Sequence, residues 1–328
     1  LASVHLLSAA SGAPGDDPKA LLDLDQMRAS AHADRFGVHR SVDDPGGADL
    51  ILFVETSGAG GYYFERVRRH PVYRQFRSKS YLFSSTDRIV PFLPGVYASV
   101  ERRWYWPSWT RSGHYLGVHE RQGLEYEADA RPSLLFSFVG AAATHPVRRS
   151  IIGLQCPDAL LIDGSAEADA VRRGERQALS PEEFAGRYAR SVRDSSFVLC
   201  PRGGGSSTFR LFETMMLGRV PVIVSDQWVP PIGPDWDTFS VRVGESEVEI
   251  IPALLERRQD DAAAMGAAAR EAWLDWFSPS ASFHRSVEWC LDLASVSPGR
   301  GGMRSAAPYL QMLRPYHAVR WMLKRIRG

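Results

Sequence analysis

The stretch Phe197-Val-Leu-Cys200-Pro-Arg202-Gly-Gly-Gly-Ser-Ser207-Thr-Phe-Arg210-Leu-Phe-Glu213-Thr-Met-Met-Leu-Gly218-Arg-Val220-Pro-Val-Ile-Val224-Ser-Asp226 decides the fold. Phe197–Cys200 is a short apolar run and predicts a buried strand. Pro201 to Ser207 is a glycine-rich turn, and Thr208–Leu217 reads as a helix closed by Gly218. Val220–Val224 predicts a second buried strand. A glycine turn that feeds a helix N-terminus is an anion site, because free N–H groups point outward where the helix dipole is positive. Gly203, Gly204 and Gly205 allow close backbone approach to a bulky anion, and Arg202 and Arg210 flank them with guanidinium forks suited to diphosphate oxygens. Glu213 lies one turn beyond Arg210 on the same face, where a carboxylate accepts ribose hydroxyls. No Lys follows the glycines as a P-loop requires, and Thr208 stands where a dinucleotide fingerprint needs Gly. A glycine-rich connection with no ligand remains the alternative.

Working outward, strands alternate with helices on both sides. Residues 48–55, 79–84, 134–139 and 159–162 read as strands. Helical stretches are expected over 18–36, near 62–77, from Pro146 through Ile152, and over 246–258 and 262–277. Ser180-Pro-Glu-Glu183 spells an N-cap, a Pro in the first turn and a capping-box Glu, which opens a helix running to about Ser195. Residues 86–133, with Pro91, Pro94, Pro107 and Pro132, read as irregular structure with short strands. This order implies an α/β chain of parallel sheets covered by helices. Open sheets of that kind bind ligands beyond their strand C-termini.

The chain has 328 residues, with 44% hydrophobic and 23% charged residues, an ordinary globular composition for about two domains. The net charge of +1 speaks against a dedicated nucleic-acid binder. Cys156, Cys200 and Cys290 have no paired spacing, so neither a disulfide framework nor a zinc motif is expected, and a cytoplasmic setting is the simpler reading. Arg- and Ala-rich usage fits a bacterial source.

Three boxes carry a resemblance: Ser196-Phe-Val-Leu-Cys-Pro-Arg-Gly203, Ser207-Thr-Phe-Arg-Leu-Phe-Glu213 and Gly218-Arg-Val-Pro-Val-Ile-Val-Ser-Asp226. In this order and spacing they resemble the signature of exostosin-type glycosyltransferases. Leu134 to Ile152 is similar to that family's strand-glycine segment and the Arg-bearing helix after it, here with Arg148. The resemblance is strong over roughly 134–230 and loose before it. It implies a GT-B architecture: two Rossmann-like domains facing across a cleft, 1–133 on the acceptor side and 134–305 holding the donor; the residues of 306–328 themselves read as a terminal basic helix. It implies an inverting transfer from a nucleotide-diphosphate sugar, UDP-linked in many members, to a saccharide-containing acceptor. Arg202, Arg210 and, further out, Arg148 would meet the diphosphate. The backbone of Gly203, Gly204, Gly205, Ser206, Ser207 and Thr208 would cradle it, Glu213 would bind ribose, and Ser225 and Asp226 would read donor-sugar hydroxyls, with turn capping the alternative for Asp226. A non-catalytic nucleotide-sugar-binding regulator and a sugar phosphorylase are the rival functions.

An inverting transfer needs a base for the acceptor hydroxyl. Ser85-Thr-Asp87 sits where the family often has a His-Asp pair, although Thr86 replaces the His, so Asp87 is the first candidate. Glu55, ending the 48–54 strand beside Gly58–Gly61, is the second; His70 and His114 are weaker. Trp104, Trp106 and Trp109 could stack on acceptor sugar rings or pack as a satellite core. Asp23-Leu-Asp25 and Asp235-Trp-Asp237 spell a short metal motif, but the first lies in a predicted helix, where i and i+2 do not share a face, the second lies in a proline-rich loop, two-letter motifs arise readily by chance, and no metal or other cofactor is expected. The basic stretch 309–327 either touches an anionic membrane at its inner face or packs back on the first domain.

Overall fold

The computed structural model describes residues 1–10, 21–56, 64–87, 89–118, 123–166, 170, 173, 180–296, 318, 319 and 322. The first sheet is built from β1 (Ser3–Leu7), β2 (Arg40–Ser41), β3 (Leu50–Glu55), β4 (Ser80–Ser84), β5 (Gly95–Tyr97) and β6 (Thr110–Ser112), in spatial order β2-β1-β3-β4-β5-β6. The second is built from β7 (Leu134–Gly140), β8 (Ala159–Asp163), β9 (Ser195–Pro201), β10 (Val220–Val224) and β11 (Val241–Val243), in order β11-β10-β9-β7-β8. All nine pairings are parallel. Numbered within its own unit, the first sheet runs 2-1-3-4-5-6 and the second 2-1-3-4-5, so each has a switch point where the first and third strands part: β1 beside β3, and β7 beside β9. Two such parallel-sheet units packed together form a GT-B fold.

The helices are α1 (Leu22–His32), α2 (Glu65–Arg69), α3 (Pro71–Gln75), α4 (Pro146–Ile152), α5 (Pro181–Arg193), α6 (Phe209–Met216), α7 (Trp236–Phe239), α8 (Ile251–Glu256), α9 (Ala262–Trp276) and α10 (Ser282–Val296). The expected helix near 62–77 is two short ones. His70 is extended (ψ 135°) ahead of Pro71, as the residue before proline is driven to be, and its Nδ1 caps Val72 N–H. The capping box of α5 is fully formed between Ser180 and Glu183. Gly218 takes φ +65° beyond α6, the left-handed conformation that lets the chain turn straight into β10.

One hydrophobic core joins the two sheets. Leu52, Val54 and Phe83 of the first unit belong to the same buried cluster as Val198, Phe212, Met215 and Ile223 of the second. Helix α6 is buried from Arg210 to Met216. The 134–305 segment expected as one domain divides: its sheet ends with β11, and α10 packs on α1, β5 and β6 of the first unit. The apolar face of Phe283, Val287 and Trp289 explains that crossing, because it completes the shared core. His114 stands in the middle of this core, fully buried among Phe83, Phe212, Phe277 and Trp289. Burial pushes its imidazole down to about 3, and it faces Ser282 Oγ at 2.8 Å, so it is a structural histidine.

Among the described residues no helix is long and apolar enough to cross a membrane. Residues 58–61, and nearly all of the basic 309–327 stretch with its packing or membrane contact, lie outside the described residues.

Candidate active site

At the second switch point, β7 ends at Gly140 and β9 at Pro201. Beyond their C-termini lies a cavity of about 420 Å³, lined by Leu124, Val139–Ala141, Arg148, Ala185, Tyr188, Thr208–Arg210 and Glu213. Arg210 projects from the first turn of α6. Its guanidinium lies 4.7 Å from the Phe138 ring centroid and 5.3 Å from that of Tyr188, and it donates to the Val139 carbonyl. Its Nε is buried without a hydrogen-bond partner. Arg148, from α4, also lies over the Phe138 ring, at 5.6 Å from its centroid. It donates to the carbonyls of Arg202 (2.8 Å), Pro201 (3.2 Å) and Ala141 (3.3 Å). Burial, and then the charge of Arg210, lower its pKa to about 10. Two buried like charges held together by carbonyls and ring faces are costly unless an anion joins them. Glu213 is fully buried at the far wall and accepts from the Tyr188 hydroxyl.

The glycines are small for a reason. A Cβ on Gly140 would sit 2.8 Å from Arg210 Nη2, and one on Gly203 2.9 Å from Arg148 Nη2. A Cβ on Gly205 would sit 2.1 Å from Ser99 Oγ and 2.4 Å from Asp87 Oδ1, so the loop touches the first unit edge to edge. Ser206 Oγ donates to Val100 O (3.0 Å), and Ser207 N–H to Ser99 Oγ (3.2 Å).

Three expected donor contacts are placed elsewhere. Arg202 does not line the cavity. It pairs with Glu101 at 3.0 Å and Glu245 at 3.7 Å and so clamps the two units together. Burial alone would raise the Glu101 carboxyl, but hydrogen bonds from Arg103 and Arg202 hold it below the usual range. Ser225 Oγ donates to the Ser206 carbonyl (2.8 Å) and braces the loop from behind. Asp226 exchanges hydrogen bonds with Glu245, N–H to carboxylate in each direction at 3.0 Å, and so ties the segment after β10 to the one after β11.

Of the base candidates, Asp87 is exposed, faces Gly205 and accepts from the Tyr115 hydroxyl at 2.9 Å. Glu55 is fully buried at the first switch point, where it accepts from Ala9 N–H (2.7 Å) and Ser8 Oγ (3.2 Å). Burial raises its carboxyl to about 7 against those hydrogen bonds. It lines none of the cavity and both its oxygens are taken up by the turn after β1, so it is not placed to meet an acceptor, and the expectation for Glu55 is corrected on that ground. Trp109 is buried and its indole N–H donates to Pro91 O (2.8 Å), so it packs as core rather than as a sugar platform; Trp104 and Trp106 are half-buried and line none of the cavity. Asp23 is buried and accepts from Ser85 Oγ, while Asp25 pairs with Arg28 on the outer face. Asp237 pairs with Arg242 at 3.0 Å.

The cavity also holds residues that the sequence reading passed over: Leu124, Ala185 and Tyr188. Ala185, Tyr188, Ala189 and Val192 recur at helical spacing and mark the inner face of α5, which is the signal that would have found Tyr188. Ser99 and Tyr115, which hold the loop and Asp87, sit among the prolines of 86–133 with no such period.

Two parallel sheets sharing a core, with a glycine loop and two guanidinium groups facing one cavity at the switch point, define a GT-B chain. Residues 102–257 match the Exostosin GT47 domain, and the chain is exostosin-like. It is 39% identical over 70 residues to an exostosin-1 homolog of Caenorhabditis elegans, covering 21% of this chain and 18% of that protein. It is 31% identical over 94 residues to exostosin-1b of Danio rerio, covering 28% and 13%. The matches therefore span less than a fifth of either relative. Among solved structures, a UDP co-structure of S. aureus MnaA aligns over 92% of this chain and all of that one, at 8% identity and a TM-score of 0.42.

Proposed function

We propose that this chain is an inverting glycosyltransferase that moves a sugar from a nucleoside-diphosphate donor, UDP-linked by preference, to a hydroxyl of a saccharide-containing acceptor. The observation that carries the reading is the cavity at the second switch point, where Arg148 and Arg210 converge beside the glycine loop and Glu213 closes the far wall. The diphosphate lies against the two guanidiniums and the α6 N-terminus. These stabilise the charge that develops as the anomeric C–O bond to phosphate breaks. Glu213, steadied by Tyr188, takes the ribose hydroxyls. The acceptor oxygen attacks the anomeric carbon from the opposite face, and Asp87 receives its proton, held in place by Tyr115. Fixed cationic groups do the work of leaving-group stabilisation, so the reading requires neither a metal nor a cofactor beyond the donor.

Calorimetric titration with UDP, GDP, CMP and ADP tests it. One nucleotide should bind at micromolar Kd, insensitive to EDTA, and should be lost on Arg210→Ala. Asp87→Asn should keep that binding and lower transfer by about 10²–10⁴-fold. If transfer survives in Asp87→Asn, the base assignment fails; if no nucleotide binds, the donor site fails.

A further inference from the structure

At the outer end of the first unit, away from the cavity, three side chains converge from two elements. His284 and Glu288 are one turn apart on α10, at i and i+4, and therefore share a face. His39 comes from the segment that leads into β2. Its Nε2 lies 2.6 Å from Glu288 Oε1, with the His39 side chain 1% exposed and Glu288 49% exposed. One nitrogen of each imidazole and one Glu288 oxygen all lie within 4.8 Å of one another. His39 is 6% and His284 7% exposed, and the Nδ1 atoms of both rings are buried without a hydrogen-bond partner. The rings are also fixed: His284 stacks on Phe36 at 4.1 Å and 17°, and the two imidazole centroids are 5.0 Å apart.

We propose that His39, His284 and Glu288 bind a divalent transition metal of the zinc class. Two imidazoles and one carboxylate form a borderline N₂O donor set that suits Zn²⁺ or Co²⁺ and is poor for Mg²⁺ or Ca²⁺. The two buried Nδ1 atoms have no protein partner among the described residues, so each ring has a nitrogen free to offer a lone pair. Coordination uses a lone pair on each ring and replaces the His39–Glu288 hydrogen bond. Half-exposed Glu288 gives the ion a path in from solvent and leaves room for water as a further ligand.

Nearby cations do not fill the site. Arg285 lies over the Phe36 and Trp276 rings, at 4.7 and 3.8 Å, and donates to Asp275 O. Arg35 is paired with the Asp275 carboxylate.

The location gives the metal a structural role. Around it, Arg35 N–H donates to Ser280 O (3.1 Å) and Phe283 N–H to Ser30 Oγ (2.8 Å). All these contacts join the 30–39 segment to the start of α10, the helix that crosses from the second unit to the first. A metal would fasten that crossing without touching the donor cavity. The inference does not rest on the glycosyltransferase reading.

The test uses the full chain stripped with EDTA and titrated with Co²⁺ and then Zn²⁺. Expected are one Co²⁺ per chain with visible d–d absorption, displacement by Zn²⁺, and a Tm raised by several degrees at saturating Zn²⁺. His39→Gln, His284→Gln and Glu288→Gln should each weaken Co²⁺ at least tenfold, while His70→Gln, on α3's cap, should not. Because Glu288 is half exposed, Glu288→Gln should fold with an unchanged far-UV spectrum, which separates loss of ligation from loss of fold. Absence of saturable Co²⁺ binding, or binding that persists unweakened in Glu288→Gln and His39→Gln, overturns the proposal. UDP titration of the stripped chain runs alongside, so a failure of the donor site is read separately.

Discussion

The two switch points share a topology and gather opposite kinds of side chain. In the second unit the crevice between β7 and β9 gathers Arg148 and Arg210 around open space. In the first unit the crevice between β1 and β3 is filled by Glu55, which takes the Ala9 N–H and the Ser8 hydroxyl. Backbone amides at such a turn attract an anion in either unit. The first unit fills the place with a carboxyl of its own chain, and in the function proposed above the second leaves it to the donor diphosphate. A doubly wound sheet thus offers a crevice, and a few side chains at its mouth decide what enters.

The strongest way to break this contrast is Arg210→Ala. It removes one of the two guanidiniums of the cavity, and nucleotide affinity should fall at least a hundredfold by calorimetry, about 2–3 kcal/mol. Retained affinity would mean that the second crevice is as self-satisfied as the first. Gly205→Ala comes next. Its methyl would overlap Ser99 Oγ and Asp87 Oδ1, so overpacking should destabilise the chain by about 1–3 kcal/mol in urea unfolding, with part recovered by adding Ser99→Ala.

Glu55→Gln sharpens the other half of the comparison. The folded carboxyl titrates near 7 rather than at its ordinary 4.5, because burial outweighs the two hydrogen bonds. The folded state therefore holds a proton that the unfolded chain has released between those values. The stabilisation is complete below pH 4.5 and is lost as pH rises through 7, by up to about 3 kcal/mol. Urea midpoints of wild type and Glu55→Gln at pH 5 and pH 8 should diverge, with the variant gaining relative stability at pH 8. Parallel pH profiles would show that Glu55 is not held as proposed. The smallest effect belongs to Asp226→Asn, which should change nucleotide affinity less than twofold, since its partner is Glu245 rather than the cavity.

Local patterns made much of this legible. The strand-glycine-helix-strand run around Arg210, the capping box at Ser180 and the apolar strands each signal themselves within a dozen residues, and together they define the parallel sheets and most of the cavity wall. What was illegible depends on partners far along the chain. Arg202 looks like a phosphate ligand until Glu101 arrives from the other unit, and Glu55 looks like a base until β1 covers it. Strand β1 itself, Ser-Val-His-Leu-Leu, gave no signal because Ser3 and His5 interrupt its apolar run. Both are satisfied at long range, Ser3 by Asp49 and His5 by Val42 O at 3.0 Å. Strands β5 and β6 are three residues each between prolines, too short for a period to register.

The core common to both sheets bears on modularity. Phe212 and Met215 of one half, and Leu52 and Phe83 of the other, are buried in a single cluster completed by Trp289 near the end of the described chain. Cutting between 133 and 134 would leave each piece with a greasy wound, so the halves should unfold in one cooperative transition and neither should survive alone. Chimeras that trade one half of this chain for a relative's would have to carry α10 with the half it covers, although it is encoded with the other.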